Sequence, residues 1–190
     1  MKVIKLGGSL MQDIPVLTQC LKSIERQNKE KLVLVPGGGT FADQVRLVQK
    51  QWGFTDEIAH QMAVLAMQQT AILFSSIVQS VVLAGKVSTI QQALVNHSVV
   101  IWSPDIDELN SANIKTDWDV TSDSLAAWLA NQLKATELIL VKSAEIPFTL
   151  SIQQMQEQGL LDQAFNAYTK DATYKITLLN KYRFNEYAIT

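Results

Sequence analysis

Lys31-Leu32-Val33-Leu34-Val35-Pro36-Gly37-Gly38-Gly39-Thr40-Phe41 decides the fold. Four consecutive apolar, mostly branched residues read as a buried strand, and proline with three glycines ends it. Phe41, Val45 and Val48 then fall at helical spacing. The same grammar stands upstream. Val3-Ile4-Lys5-Leu6 runs into Gly7-Gly8-Ser9, and Asp13 and Pro15 sit as cap and first-turn proline before Val16, Leu17, Cys20, Leu21 and Ile24. Two successive strand-loop-helix units imply an α/β fold with a parallel sheet and right-handed crossovers.

Downstream, helical periodicity begins at Thr55 and continues to about Leu83, as one long helix or two. It is apolar nearly all round in its second half, which predicts burial against a second surface and hence a homodimer or higher homo-oligomer. Ser88 or Thr89 caps a short helix to about Val95, and Ser98–Trp102 reads as a strand ended by Ser103-Pro104. The irregular polar stretch from Asp105 to Asp119 has the length of a functional loop. Thr121 caps a helix through Leu125, Trp128, Leu129 and Leu133, and Glu137–Val141 is a strand with Lys142 at its carboxyl end. Helical pieces near Ile152–Gln158 and Leu161–Tyr168 precede strands at Tyr174–Leu179 and Tyr187–Ile189.

Composition bounds the function. The 190 residues are 47% hydrophobic, with 16 Lys+Arg against 18 Asp+Glu, enough to bury one core and too balanced to provide a basic stripe for nucleic acid. One cysteine, Cys20, allows no intrachain disulfide or zinc cluster and falls on an apolar helical face. No signal-peptide core precedes the first glycines, and the apolar stretch 71–85 is interrupted by polar residues. A single soluble, cytoplasmic domain over residues 1–190 is expected, without nucleic-acid or membrane partners.

Glycine is scarce, 8 in all, yet five stand at Gly7, Gly8, Gly37, Gly38 and Gly39. In open parallel sheets ligands bind outside the carboxyl ends of the strands. Gly7-Gly8-Ser9, Gly37–Gly39, Pro104-Asp105 and Lys142 all fall there. Each glycine loop alone reads equally as a sharp turn, but two side by side describe a cradle in which main-chain N–H groups and helix N-termini meet anions. Lys5, within an apolar strand, needs an anion or the surface to offset its desolvation, and Lys142 repeats that situation. Two such lysines suit the developing charge of a transferring phosphoryl group, and Asp123, in a helical first turn, can pair with both. His60 and His97 stand away from the glycine loops and read as structural. No nucleophile-base pair is evident, so the acceptor suited to this site is already an anion.

These motifs, in this order, resemble the amino acid kinases, a family that includes acetylglutamate, aspartate, carbamate and uridylate kinases. The resemblance rests on Lys5-Leu6-Gly7-Gly8-Ser9, Val35-Pro36-Gly37-Gly38-Gly39, Val120-Thr121-Ser122-Asp123-Ser124-Leu125-Ala126-Ala127 and Leu138–Lys142. It implies a three-layer αβα sandwich around a mainly parallel sheet, with an acceptor-binding part over about 1–120 and a reduced nucleotide-binding part over about 121–190. It further implies an ATP-dependent kinase, with Mg2+ held mainly by the nucleotide, that transfers the γ-phosphoryl group to a phosphate or carboxylate oxygen of a small anionic metabolite. Lys5, Lys142 and Asp123 would be catalytic. Gly7, Gly8, Ser9 and Ser143 would hold phosphate or nucleotide, and Gly37, Gly38, Gly39, Asp119 and Thr121 the acceptor, with no metal ligand on the chain. The short length and the phrase Asp117-Trp118-Asp119-Val120-Thr121-Ser122-Asp123-Ser124 are similar to the small branch that phosphorylates a furan-methanol phosphate in methanofuran-type cofactor biosynthesis. The family usually places Asp-Gly after the second lysine, where this chain has Ser143-Ala144-Glu145. That difference leaves open a ligand-binding or regulatory protein on the same fold.

Overall fold

The computed structural model describes residues 1–26, 30–79, 81–147, 150–184 and 187. Strands β1 (Lys2–Leu6), β2 (Leu32–Pro36), β3 (Val82–Ala84), β4 (Val99–Trp102), β5 (Glu137–Lys142) and β6 (Lys175–Asn180) form one sheet in the order β3-β4-β2-β1-β5-β6. Every pairing is parallel. The α-helices are α1 (Ile14–Glu25), α2 (Gly39–Trp52), α3 (Asp56–Ile77), α4 (Val87–Asn96), α5 (Ile106–Ser111), α6 (Ser122–Gln132), α7 (Ile152–Glu157) and α8 (Phe165–Thr169), and a short 3-10 helix covers Gly8–Gln12.

The period-two alternation of strand side chains sorts the central strands into two cores. Val3, Val33, Val35, Leu138 and Leu140 face a layer containing α6, α7 and α8, whereas Ile4, Leu6, Leu34, Ile139 and Val141 face α1. α6 is buried from Ser122 through Ala130. In the first core the Trp102 and Trp128 rings lie 6.1 Å apart. Cys20 is buried in the second.

Four sequence expectations change. The helix from Thr55 is a single 22-residue element that stops at Ile77, and Val82–Ala84 leaves it to become the edge strand β3. The apolar run through this region is thus divided between helix and sheet, which periodicity alone does not separate. The stretch after Trp102 contains α5, capped by Asp105, whose carboxylate accepts from the Glu108 N–H at 2.8 Å. At α4 the cap position is Lys86, and Thr89 Oγ1 accepts from its N–H at 3.1 Å. Of the last expected strand, Tyr187 is helical; 188 and 189 lie outside the described residues.

β1 is the switch point: the chain passes from it to β2 on one side and later to β5 on the other. The carboxyl ends of β2, β1 and β5 therefore stand side by side, where a parallel sheet opens a crevice.

Candidate functional site

The alternation that sends Val3 into the α6 layer also sends Lys5 there. Its side chain is nearly cut off from solvent and meets Asp123 at the start of α6. Lys5 is 4% exposed and Asp123 2%, with Nζ 2.6 Å from Oδ1. Lys142, at the end of β5, bonds the other oxygen, Oδ2. Burial opposes the ionisation of Asp123, but the two ammonium groups outweigh it and bring the carboxyl down to about 2. Burial, reinforced by the charge of Lys5, pushes the Lys142 ammonium down from its ordinary value. The result is a desolvated carboxylate clamped between two cations at the inner end of a cleft of about 270 Å³.

The glycine loops form the adjoining wall. The N–H of Gly7 donates to Val141 O at 3.0 Å and that of Gly37 to Leu6 O at 2.9 Å, so the ladder carries both loops past the strand ends. There they pack against each other. A Cβ on Gly8 would lie 2.4 Å from Gly39 N, and one on Gly37 would lie 2.4 Å from Gly8 N, closer than any side chain can be accommodated. Loop-to-loop contact is thus the immediate reason for glycine at positions 8 and 37. Gly39 has φ +54°, a left-handed angle that favours glycine as α2 begins.

The structure divides the candidates. Lys5, Gly8, Ser9, Gly38, Gly39, Thr121, Asp123 and Lys142 line the cleft. Gly7, Gly37, Asp119 and Ser143 do not. Gly7 and Gly37 are buried behind the wall. Ser143 Oγ accepts from Ser9 Oγ at 3.0 Å, joining the first loop to the end of β5. The Asp119 carboxylate accepts from Lys115 Nζ at 2.7 Å. Pro104-Asp105 contributes to α5 rather than to the cleft, and the one cleft-lining residue of the 105–119 stretch is Trp118.

Other cleft residues escaped the sequence reading. Asp162, from the turn between α7 and α8, accepts from the N–H of Thr121 at 2.9 Å, from its hydroxyl at 2.5 Å and from the Ser124 N–H at 2.9 Å. Thr121 thus occupies the cap position of α6, while the capping carboxylate comes from 41 residues downstream. Burial, then the neighbouring charge of Asp123, pushes the Asp162 carboxyl up. His60, expected to be structural, lines the cleft from α3. Its burial pushes the imidazole down, partly opposed by the Asp117 backbone and charge. Asp43 and Arg46 complete the outer wall from α2. A pattern was available for these two, since positions 39, 42, 43 and 46 recur along one helix face.

The segment beyond Lys142 is held by β6. The Asn180 side-chain amide donates to Ala144 O at 2.9 Å and to Ser143 O at 3.4 Å, and the Lys181 N–H donates to Lys142 O at 2.8 Å. These bonds fix the turn where the family pattern has Asp-Gly.

A model of the amino acid kinase family matches residues 1–145. The (5-(aminomethyl)furan-3-yl)methyl phosphate kinase of Methanocaldococcus jannaschii is 26% identical over 195 residues, spanning all of this chain and 87% of its own. Among solved structures, uridylate kinase from Archaeoglobus fulgidus shares the fold with a TM-score of 0.69 at 16% identity, covering 100% of this chain and 96% of its own. UMP kinase from Bacillus anthracis does so with a TM-score of 0.72 at 16% identity, covering 99% and 91%.

Proposed function

Because the chain belongs to the amino acid kinase family, and so is a phosphotransferase acting on a small metabolite, we propose that it transfers the γ-phosphoryl group of ATP to the phosphate of a furan-methanol phosphate. The acceptor is suggested by the Methanocaldococcus relative. The observation that carries the transfer chemistry is the Lys5–Asp123–Lys142 cluster.

In this reading an ionised acceptor phosphate oxygen forms the new P–O bond to the γ-phosphorus. The bond from that phosphorus to the bridging oxygen breaks, its electron pair leaves with ADP, and no proton need move. Asp123 could not serve as a base, since its carboxyl sits at about 2 and both oxygens face ammonium groups. Lys5 and Lys142 meet the charge on the transferring group from two sides, with Asp123 holding them apart and in register. Gly8, Gly38 and Gly39 line the cleft beside them, where a side chain would narrow the approach of an anion. Asp123 and Asp162 already face ammonium, N–H and hydroxyl donors. Mg2+ accordingly enters on the nucleotide, which carries its own oxygen ligands and supplies charge neutralisation. We assign the acceptor to the part built from about 1–120 and the nucleotide to that from about 121–190, in a cytoplasmic homo-oligomer. No described helix is long and apolar enough to cross a membrane.

The test is ADP release by the purified chain with Mg-ATP and, separately, the aminomethylfuran phosphate, UMP, aspartate and acetylglutamate. Turnover is expected on the furan phosphate, with product gaining one phosphoryl group and kcat falling about a hundredfold or more in Lys142→Ala. Absence of turnover on all four by a folded protein would refute the proposal.

A further inference from the structure

The outer end of the cleft carries charges and an aromatic surface that transfer at the lysine pair does not use. α2 leaves Gly39 and places Asp43 and Arg46 along the wall. At about 1.5 Å per residue they stand roughly 6 and 10 Å beyond the glycine loop. Trp118 is fixed in front of them: its indole N–H donates to Gln49 Oε1 at 2.7 Å, and the Arg46 guanidinium lies 4.0 Å from its ring centre. The charge of Arg46 is therefore partly met by an aromatic face. Asp43 is less well met. Its Oδ1 is 3.9 Å from Arg46 Nη1, and it makes no hydrogen bond among the described residues. His60, pushed down by burial, supplies a neutral ring at neutral pH. Asp43 is thus the carboxylate at this end of the lining, while Asp123 and Asp162 are committed at the other.

We propose that Asp43 determines acceptor specificity by binding a primary ammonium carried by the acceptor, whose flat ring lies along the Trp118–Arg46 stack. This rests on the kinase reading above and sharpens it: the acceptor is a zwitterion, with its phosphate at Lys5 and Lys142 and its cation at Asp43. An aminomethyl group on a furan-methyl phosphate stands roughly 7 Å from the phosphorus by ordinary bond lengths, and Asp43 stands about one helical turn beyond Gly39 on the same cleft wall. A nucleoside monophosphate offers no such cation.

The test compares the full chain and Asp43→Asn in steady-state kinetics, with Mg-ATP and either the aminomethylfuran phosphate or the analogue bearing hydroxymethyl in place of aminomethyl. The unaltered chain is expected to prefer the aminomethyl substrate by about tenfold or more in kcat/KM, the scale of one hydrogen bond to a charged group. In Asp43→Asn the aminomethyl KM should rise about tenfold and the preference vanish, with the analogue changing by less than about twofold. Asp43→Glu, which restores a carboxylate, should recover part of the preference. Equal losses on both substrates, or a preference that survives Asp43→Asn, would overturn the assignment of Asp43 alone. Turnover of neither furan phosphate by the unaltered chain would overturn the furan reading, and this inference with it.

Discussion

Replacing Asp123 by asparagine keeps the shape of the side chain and removes the charge that Lys5 and Lys142 share. The folded carboxyl sits at about 2, against 3.8 in an open chain, even though burial alone would raise it. A tenfold change in acidity is about 1.4 kcal/mol, so the ionised carboxylate contributes roughly 2–3 kcal/mol at neutral pH. Its loss leaves two buried ammonium groups without their counter-ion, which takes the expected cost to about 3 kcal/mol or somewhat more. Because the folded carboxyl is the more acidic one, this contribution is complete above about pH 4 and drains away as the pH falls towards 2. Urea unfolding of both proteins, followed by circular dichroism at pH 7 and at steps between pH 5 and 2.5, reads the effect. The midpoint of Asp123→Asn should lie about 1 M or more lower at pH 7, and the gap should narrow through the acid window. A gap that stays constant with pH would show that packing, not charge, holds the cluster. An unchanged midpoint at pH 7 would refute the reasoning outright.

Asp162→Ala removes the remote cap of α6 and should cost about 1–2 kcal/mol in thermal unfolding, with a matching loss of kinase activity as the helix carrying Asp123 loosens. Gly8→Ala drives a Cβ into Gly39 N and should destabilise the protein by about 2 kcal/mol or more. In contrast, Gly53→Ala, at φ +69° in open space, should cost only about 1 kcal/mol and leave turnover unchanged. Ile58, Leu65 and Ile72 recur at seven-residue intervals along α3 and are 47, 45 and 60% exposed. If they form the interface between copies, the double substitution Leu65→Glu/Ile72→Glu should shift the sedimenting species to a smaller one.

The parallel sheet was legible because β1, β2 and β5 are short apolar runs with abrupt ends, and such runs in this context suit little else. The edge was not. Val82–Ala84 is three residues long, and half-exposed edge positions carry neither a buried run nor a clean alternation. It therefore merged with the helical pattern before it. α5 was hidden for a related reason. A six-residue helix with Asp107 and Glu108 in its first turn shows little periodicity, and only Asp105 as a cap announced it.

At the site, legibility follows the cost of leaving a group alone. A lysine inside an apolar strand must find an anion or the surface, so Lys5 and Lys142 stood out at the strand ends, and Asp123, in a helical first turn, was the carboxylate that could pair with both. Ser143 and Asp119 had no such penalty to constrain them, being half-buried and exposed, and they settled on Ser9 and Lys115 instead. Asp162 and Asp43 were illegible for a different reason. Asp162 answers a need of α6, its unpaired first-turn N–H groups, which any nearby oxygen can meet, and Thr121 supplied a sufficient local answer in sequence. Asp43 answers little need of the fold: it is exposed on α2, with one loose contact to Arg46 at 3.9 Å and without a hydrogen bond among the described residues. A carboxylate kept where folding does not use it, within reach of a cleft whose inner charges are already balanced, is the part of this wall free to be set by the acceptor.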